Sequence, residues 1–488
     1  MLPIDPHQSL AESQGQIWDT VGGTLLRASR SLVLRPYLAQ SWESPDPTTW
    51  IFHLYPNIKY DPRPPVNGRQ FTADDVVYNV QRAANPDPKF LMAKPKFKFM
   101  DKVEAVDPTT VKFTMKKPYA PFANELSIGF WFVAKESIEK YGDANTLDAV
   151  HGPGPYMLTA LDTSNYSIRL ERNPNYFQQG IPHCDKIETT YYSQAGSAAA
   201  AMISGQLDVY NGAANTDVKA LDSAGTKYYK QNAFSAGHFP FELNTQKQPF
   251  QDQRVRQALN LAIDRQALVR LTSATSSAGD PVGVISSWLT PWALSQKELY
   301  SRPGWRTPKD QDLATAKQLL SAAGFTASNP LKFDSIAWTQ WSGTFAVWVQ
   351  DWMKTIGVEM SIKNVDTYAG LISQEASKNY NTAVSGYSIG FEPDDQVYDF
   401  YYSSGLRNVT SYNDPKIDSE ILAQEGELDT NKRIQLVQQM QRDILDSWPG
   451  LIWLHDNGIL TILKQNIYGF ENTPDSVHDY RYDQVWIA

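Results

Sequence analysis

Residues 238–265 read HFPFELNTQKQPFQDQRVRQALNLAIDR, and no other stretch limits the fold as tightly. Phe239, Phe241 and Leu243 alternate with polar or small neighbours, the period of a half-buried strand. Asn244 to Pro249 supplies turn chemistry, and Asp252 stands where a helix N-cap would. From Val255 the apolar spacing turns helical, with Leu259, Ala262 and Ile263 on one face, which predicts a helix over 255–270. A strand that crosses into a new helix is what a domain junction looks like. Apolar residues return over Leu451–Thr461 and predict a second strand running back. Two such passages side by side, the first near Phe239–Asn244, would form a hinge.

The 488 residues exceed what one core serves, so two or three domains are expected. A net charge of −9 without a block of Lys or Arg makes nucleic acid and anionic membrane poor partners. A monomer is expected. No run of 18 apolar residues is present to span a bilayer. Met1-Leu2-Pro3-Ile4 leads straight into Asp5-Pro6-His7 without a signal segment, as in a mature or trimmed chain with an added Met. Cys184 is the sole cysteine, so neither an internal disulfide nor a multi-cysteine metal site can form. The 14 Trp, 25 Tyr and 20 Phe either fill a large core or line a cleft for flat sugar faces and peptide side chains.

Alternation predicts strands at Trp50–Leu54, Val111–Met115 and Tyr166–Leu170. Thr72 with Asp75 three positions on marks a helix start, with Val76, Val77 and Val80 as its apolar stripe. Gly152-Pro153-Gly154-Pro155 reads as a turn and not a phosphate loop, because its prolines lack the N–H groups a phosphate needs. A short helix is expected at 198–203 and a strand at 205–211. Further helices are expected at 312–323, 344–356, 415–425 and 431–446, with strands at 333–337 and 358–362. Phe345, Trp348, Val349, Trp352 and Ile356 share one stripe of the helix over 344–356 and read as core. Strands alternating with helices predict mixed α/β layers.

None of the seven histidines has the four-apart spacing of a zinc helix, and no Gly-x-Ser-x-Gly elbow occurs. His183-Cys184-Asp185 are adjacent and would point to opposite faces of an extended chain, so no metal or other cofactor is expected. Glu392-Pro393-Asp394-Asp395 reads as a helix N-terminus, with Pro393 at the first helical position and acidic side chains in the first turn. A carboxylate pair there could serve acid–base chemistry, but no nucleophile accompanies it.

Several fragments occur in one order along nearly the whole chain. They include Ile4-Asp5-Pro6-His7, Leu38-Ala39-Gln40-Ser41-Trp42-Glu43, Phe71-Thr72-Ala73-Asp74-Asp75-Val76-Val77-Tyr78 and Gly152-Pro153-Gly154-Pro155-Tyr156. Glu171-Arg172-Asn173-Pro174-Asn175-Tyr176, Gly205-Gln206-Leu207-Asp208, Asn244-Thr245, Val255-Arg256-Gln257-Ala258-Leu259 and Ala262-Ile263-Asp264-Arg265 follow. Ala322-Ala323-Gly324-Phe325 and Tyr412-Asn413-Asp414-Pro415 complete the series. Together they resemble the extracytoplasmic solute-binding proteins of ABC importers, family 5, the oligopeptide/dipeptide/nickel-binding group.

The resemblance implies an α/β fold of the periplasmic-binding-protein type II kind (cluster C), two lobes joined by a two-strand hinge with an extra inserted domain. Domain I would be discontinuous over 1–42, 167–241 and 463–488, domain II inserted over 43–166, and domain III would span 242–462. It also implies a receptor rather than an enzyme, periplasmic or lipid-anchored at the cell surface, that gives its solute to a membrane permease. The solute would be a short peptide or an uncharged oligosaccharide-like or opine-like compound. A cleft hydrolase is the alternative from another class.

In peptide-binding members a Gly-aromatic stretch presents an aspartate to the peptide's ammonium. Here Gly386-Tyr387-Ser388-Ile389-Gly390-Phe391-Glu392-Pro393 corresponds, with Ile389 or Gly390 at the aspartate position and Glu392 as a substitute carboxylate. The resemblance places Asn211, Gly212, Phe239, Phe241 and His455 at the same cleft. Trp338 and Trp341, where a strand feeds a helix, are either cleft walls or core.

Overall fold

The chain changes unit inside two long strands. Met1–Ala233 with Leu460–Ala488 form one compact unit and Phe234–Ile459 the other. The first change falls within the strand Tyr228–Leu243 and the second within Leu451–Lys464, and these two strands are neighbours in their sheet. The double passage expected from the sequence is present. The structure is a computed structural model that describes residues 4–8, 12–28, 33–87, 89–90, 96–127, 129–162, 164, 167–194, 196–273, 280–340, 342–388, 390, 392–471 and 482–488.

In the first unit, Ala39–Asp46, Thr49–Leu54, Thr110–Met115 and Met100–Asp107 form an antiparallel sheet in that order. Phe52 and Phe113 point into one core with Phe122, where Phe113 and Phe122 meet edge to face at 4.9 Å. Helix Ala73–Ala83 buries Val76 and Val80, and the Asp75 carboxylate reaches back to the Thr72 N–H at 2.9 Å, the reciprocal half of a capping box. Much of the aromatic content is therefore core. A second core gathers Trp18, Trp131, Tyr156 and Leu170 beneath the strands Tyr156–Asp162, Ser167–Arg172 and Lys186–Thr189.

The Gly152–Pro155 turn packs on the end of helix Glu12–Val21, with Gly154 N donating to Val21 O at 2.8 Å. A Cβ on Gly152 would lie 2.0 Å from that carbonyl oxygen, so only glycine permits the approach. Gly152→Ala is expected to cost about 3 kcal/mol, the upper end for forced overpacking, read as a lower urea midpoint. An unchanged midpoint would contradict the contact.

In the second unit the strand order is Leu451–Lys464, Tyr228–Leu243, Thr382–Val384, Lys332–Trp338, Glu359–Val365. The last three run parallel to one another, and Lys332–Trp338 connects to Glu359–Val365 through helix Gly343–Thr355. That helix buries Ala346, Val349 and Met353, while Phe345, Trp348 and Trp352 sit half-buried at its flank. The stripe is thus rotated from the expected one. Gly357, at φ +79°, follows the helix and ends it.

The helix expected over 255–270 is two helices, Gln253–Ala262 and Arg265–Ser273. Ile263 takes an extended conformation, and Asp264 accepts from Ala267 N at 2.8 Å to start the second. Arg265 is drawn inside, where it donates to Trp453 O, Gly304 O and Asn260 Oδ1 and lies over Trp305. Helices Gln296–Ser301 and Tyr368–Ala376 were not legible from apolar spacing. The others expected appear at Asp310–Ala322, Pro415–Gly426 and Thr430–Asp446.

Candidate functional site

In the second unit the two long strands bring Phe239 and His455 together. The Phe239 ring stacks on Phe345, with centroids 4.1 Å apart and planes 12° from parallel. The His455 ring lies 6.1 Å from Phe239 and 5.4 Å from Phe345, and Trp348 extends the cluster at 5.3 Å. His455 is fully buried, and among the described residues neither ring nitrogen has a hydrogen-bond partner. Burial pushes its pKa down to about 4, with His238 adding to the shift and the Asp456 carboxylate opposing it. The ring therefore stays neutral at physiological pH and offers one N–H donor and one nitrogen acceptor between aromatic faces.

His238 forms a buried pair with Asp456, whose Oδ2 accepts from Ser287 N and Ser287 Oγ, both at 2.8 Å. Burial would raise the Asp456 pKa, but the His238 imidazole and the Ser287 donors hold it below the usual carboxylate range. The carboxylate thus stands between hydroxyl and imidazole. A Ser-His-Asp relay places the imidazole in the middle, and this order differs from it.

Tyr387 is buried, and its hydroxyl lies 2.7 Å from Glu242 Oε1 and 3.0 Å from Glu375 Oε2. Trp338 is half-buried against Tyr368 at 5.8 Å, and the Tyr368 hydroxyl reaches Gly386 O at 3.4 Å. Gly390 is half-buried, and a Cβ there would lie 1.9 Å from Asp395 Oδ2. Glu392 is the N-cap of helix Pro393–Tyr401, with Pro393 at its first turn as the sequence predicts. Its carboxylate is buried against the Arg433 guanidinium, which also donates to Gln424 Oε1 at 2.8 and 3.0 Å. That negative charge is spent inside the unit.

Phe241 has no exposure and faces Phe333 in the core at 6.5 Å. In the first unit Asn211 and Gly212 are exposed at the end of the strand Val209–Asn211, and Thr461 Oγ1 donates to Asn211 Oδ1 at 2.7 Å. Trp341, Ile389 and Phe391 lie outside the described residues, as does the Ser388 side chain. Cys184 Sγ donates to Val485 O at 3.2 Å. Among the described residues no group of three His, Cys, Asp or Glu side chains could hold a metal ion.

Three participants were not anticipated. Phe345 was read as core from its helical spacing. Glu242 alternates with buried Phe241 and Leu243 and so looked solvent-facing, but helix Tyr368–Ala376 contributes Glu375 to cover it. Arg433 sits 41 residues from Glu392, and no local pattern links the two.

The family model described as "Bacterial extracellular solute-binding proteins, family 5 Middle" matches residues 33–408. The glutathione-binding protein GsiB of Salmonella typhimurium is 26% identical over 480 residues, covering 93% of this chain and 86% of that one. Two solved structures share the fold. The oligopeptide-binding protein AppA from Bacillus subtilis, in complex with a nonapeptide, gives a TM-score of 0.79 at 20% identity and covers 99% of this chain and 96% of its own. The binding protein AgaA from A. tumefaciens R10, in complex with agropinic acid, gives 0.78 at 21% over 100% and 96%. No helix among the described residues is long and apolar enough to cross a membrane. The family model covers most of the chain, which belongs to the bacterial extracellular solute-binding proteins of ABC importers, family 5, a family of binding proteins rather than enzymes.

Proposed function

We propose that the protein captures a peptide-class solute between its two units by hinge closure and delivers it unchanged to a membrane permease, as an exported periplasmic or surface-anchored receptor. The observation that carries this reading is His455, a neutral, buried imidazole with both nitrogens unpartnered beside Phe239 and Phe345. An unmet donor and acceptor cost about 1–3 kcal/mol in a folded chain, and a solute that meets them recovers that cost on binding. Closure would be a rotation about the two long strands, in which a few residues absorb the dihedral change. The other contacts assigned to the solute are Trp338, Trp341 and the 387–392 segment from the second unit, and Asn211 with Gly212 from the first.

A second reading keeps the receptor role but changes the solute to an opine-like, oligosaccharide-like or amine-blocked compound. It is favoured by Glu392, whose charge is engaged by Arg433 and leaves no carboxylate of the 386–393 stretch to hold a free ammonium. A thermal-shift panel of free-amine peptides, their N-acetylated forms and oligosaccharides separates the two, because a bound solute raises stability by about RT ln(1 + [L]/Kd). Stabilisation by free-amine peptides alone supports the first reading. Equal or greater stabilisation by blocked peptides or sugars supports the second.

A further inference from the structure

The contacts of Tyr387 pose a problem of proton counting. Its hydroxyl has one hydrogen to donate, yet two carboxyl oxygens lie within hydrogen-bond distance, Glu242 Oε1 at 2.7 Å and Glu375 Oε2 at 3.0 Å. Two ionised carboxylates would compete for that hydrogen. One extra proton satisfies both contacts: a neutral Glu242 carboxyl donates to the phenol oxygen, and the phenol donates to Glu375. Among the described residues the second oxygens, Glu242 Oε2 and Glu375 Oε1, are buried without a direct hydrogen-bond partner, and the Ser385 hydroxyl beside Glu375 and the Lys378 charge near Glu242 only partly offset the cost of a double negative charge.

The charged and titratable surroundings are sparse on every packed element. Glu242 comes from the strand Tyr228–Leu243 and Glu375 from helix Tyr368–Ala376, which also carries Tyr368. Lys378 and Tyr380 follow that helix, and Ser385 stands beside Glu375. Arg407 lies over the Tyr387 ring, 6.0 Å from its centroid. No cation makes a salt bridge to either carboxylate among the described residues.

We propose that Glu242, Tyr387 and Glu375 form a proton-dependent latch that holds the short strand Tyr387–Ser388 against the sheet and helix Tyr368–Ala376. Backbone pairing reinforces the latch, since His238 pairs with Tyr387 and Gly237 with Ser388. Burial, then the Glu375 charge, pushes the Glu242 pKa well up, and burial raises Glu375 to about 7. As macroscopic steps these belong to the pair. Both shifts are upward, so the proton is favoured in the folded chain. The stabilisation is complete below the ordinary carboxylate range and declines as pH rises through about 4.5 to 7, because the unfolded chain ionises first. Loss of the proton leaves buried negative charge beside the short strand Tyr387–Ser388. If that strand touches the solute, as the receptor reading holds, binding weakens above neutral pH.

The test uses the whole protein without ligand. Hydrogen exchange of peptides covering 380–400, corrected for the intrinsic rate, is followed from pH 5.5 to 8.5 in wild type, Glu242→Gln, Glu375→Gln and the double variant. Protection in wild type is expected to fall by about tenfold for each proton lost per pH unit, and to stay flat in the double variant. Infrared spectra of wild type carrying 13C-labelled glutamate guard against a variant that fails to fold. A protonated-carboxyl band persisting at pH 7.5 supports the latch. Its absence, or exchange equally flat in wild type and double variant, overturns the proposal. Neither arm needs a solute, so failure of the receptor reading would leave both results unchanged.

Discussion

Arg433→Ala is expected to cost about 3–5 kcal/mol, the largest effect of any single side chain discussed above. Arg433 and Glu392 are both buried, and the guanidinium additionally holds Gln424, which donates to Asp394 Oδ1 at 2.5 Å, and lies over Trp292 at 5.0 Å. Truncation leaves the Glu392 carboxylate buried without its guanidinium partner. A buried pair and a buried single charge differ greatly, and that difference fixes the magnitude. Glu392→Gln with Arg433→Met, which removes both charges at similar volume, is expected to cost far less than Arg433→Ala alone. Urea unfolding of wild type, Arg433→Ala and the double variant checks both statements. A loss below about 1 kcal/mol for Arg433→Ala would mean the pair is solvated, and Glu392 would then have a charge to offer a ligand ammonium.

His455→Phe is expected to separate binding from stability. The substitution keeps an aromatic ring beside Phe239 and Phe345 and deletes two buried, unpartnered nitrogens, so ligand-free stability should rise by about 1 kcal/mol. Affinity for the most stabilising solute of the panel should fall about tenfold or more, equivalent to about 1.4 kcal/mol. Stability should also lose part of its acid dependence. Burial sets the folded pKa at about 4, below the unfolded value of 6.5, so only the unfolded chain gains a proton in that window and wild type is weakened as pH falls through it. The variant lacks that slope. Calorimetric titration with unfolding at pH 7 and pH 5 reads all three effects. Equal loss of stability and affinity would make His455 an ordinary core residue.

The parts of the fold that follow from local spacing were legible in the sequence. Period-two alternation gave the Thr49–Leu54 and Thr110–Met115 strands, and Asp252, accepting from Arg254 N at 2.9 Å, caps its helix as its position suggests. The helix break at Ile263 was hidden because Leu259, Ala262 and Ile263 satisfy one helical face regardless of what Asp264 caps. Arrangements set by distant residues left no trace. Alternation assigned Glu242 to the far face of its strand but could not show that a helix bearing Glu375 covers that face. The resemblance pointed to Gly386–Glu392, yet the partner that engages Glu392 arrives from a helix starting at Thr430. Tyr387 illustrates the same limit, since its hydroxyl reports to buried carboxyls.

Native mass spectrometry of the protein incubated for hours with the most stabilising panel compound tests directly whether a guest is held and given back intact. A one-to-one complex, with the compound recovered at its original mass after denaturation, is the predicted result. Recovery as a cleaved or otherwise altered product, or the absence of any one-to-one complex across the panel, would contradict it.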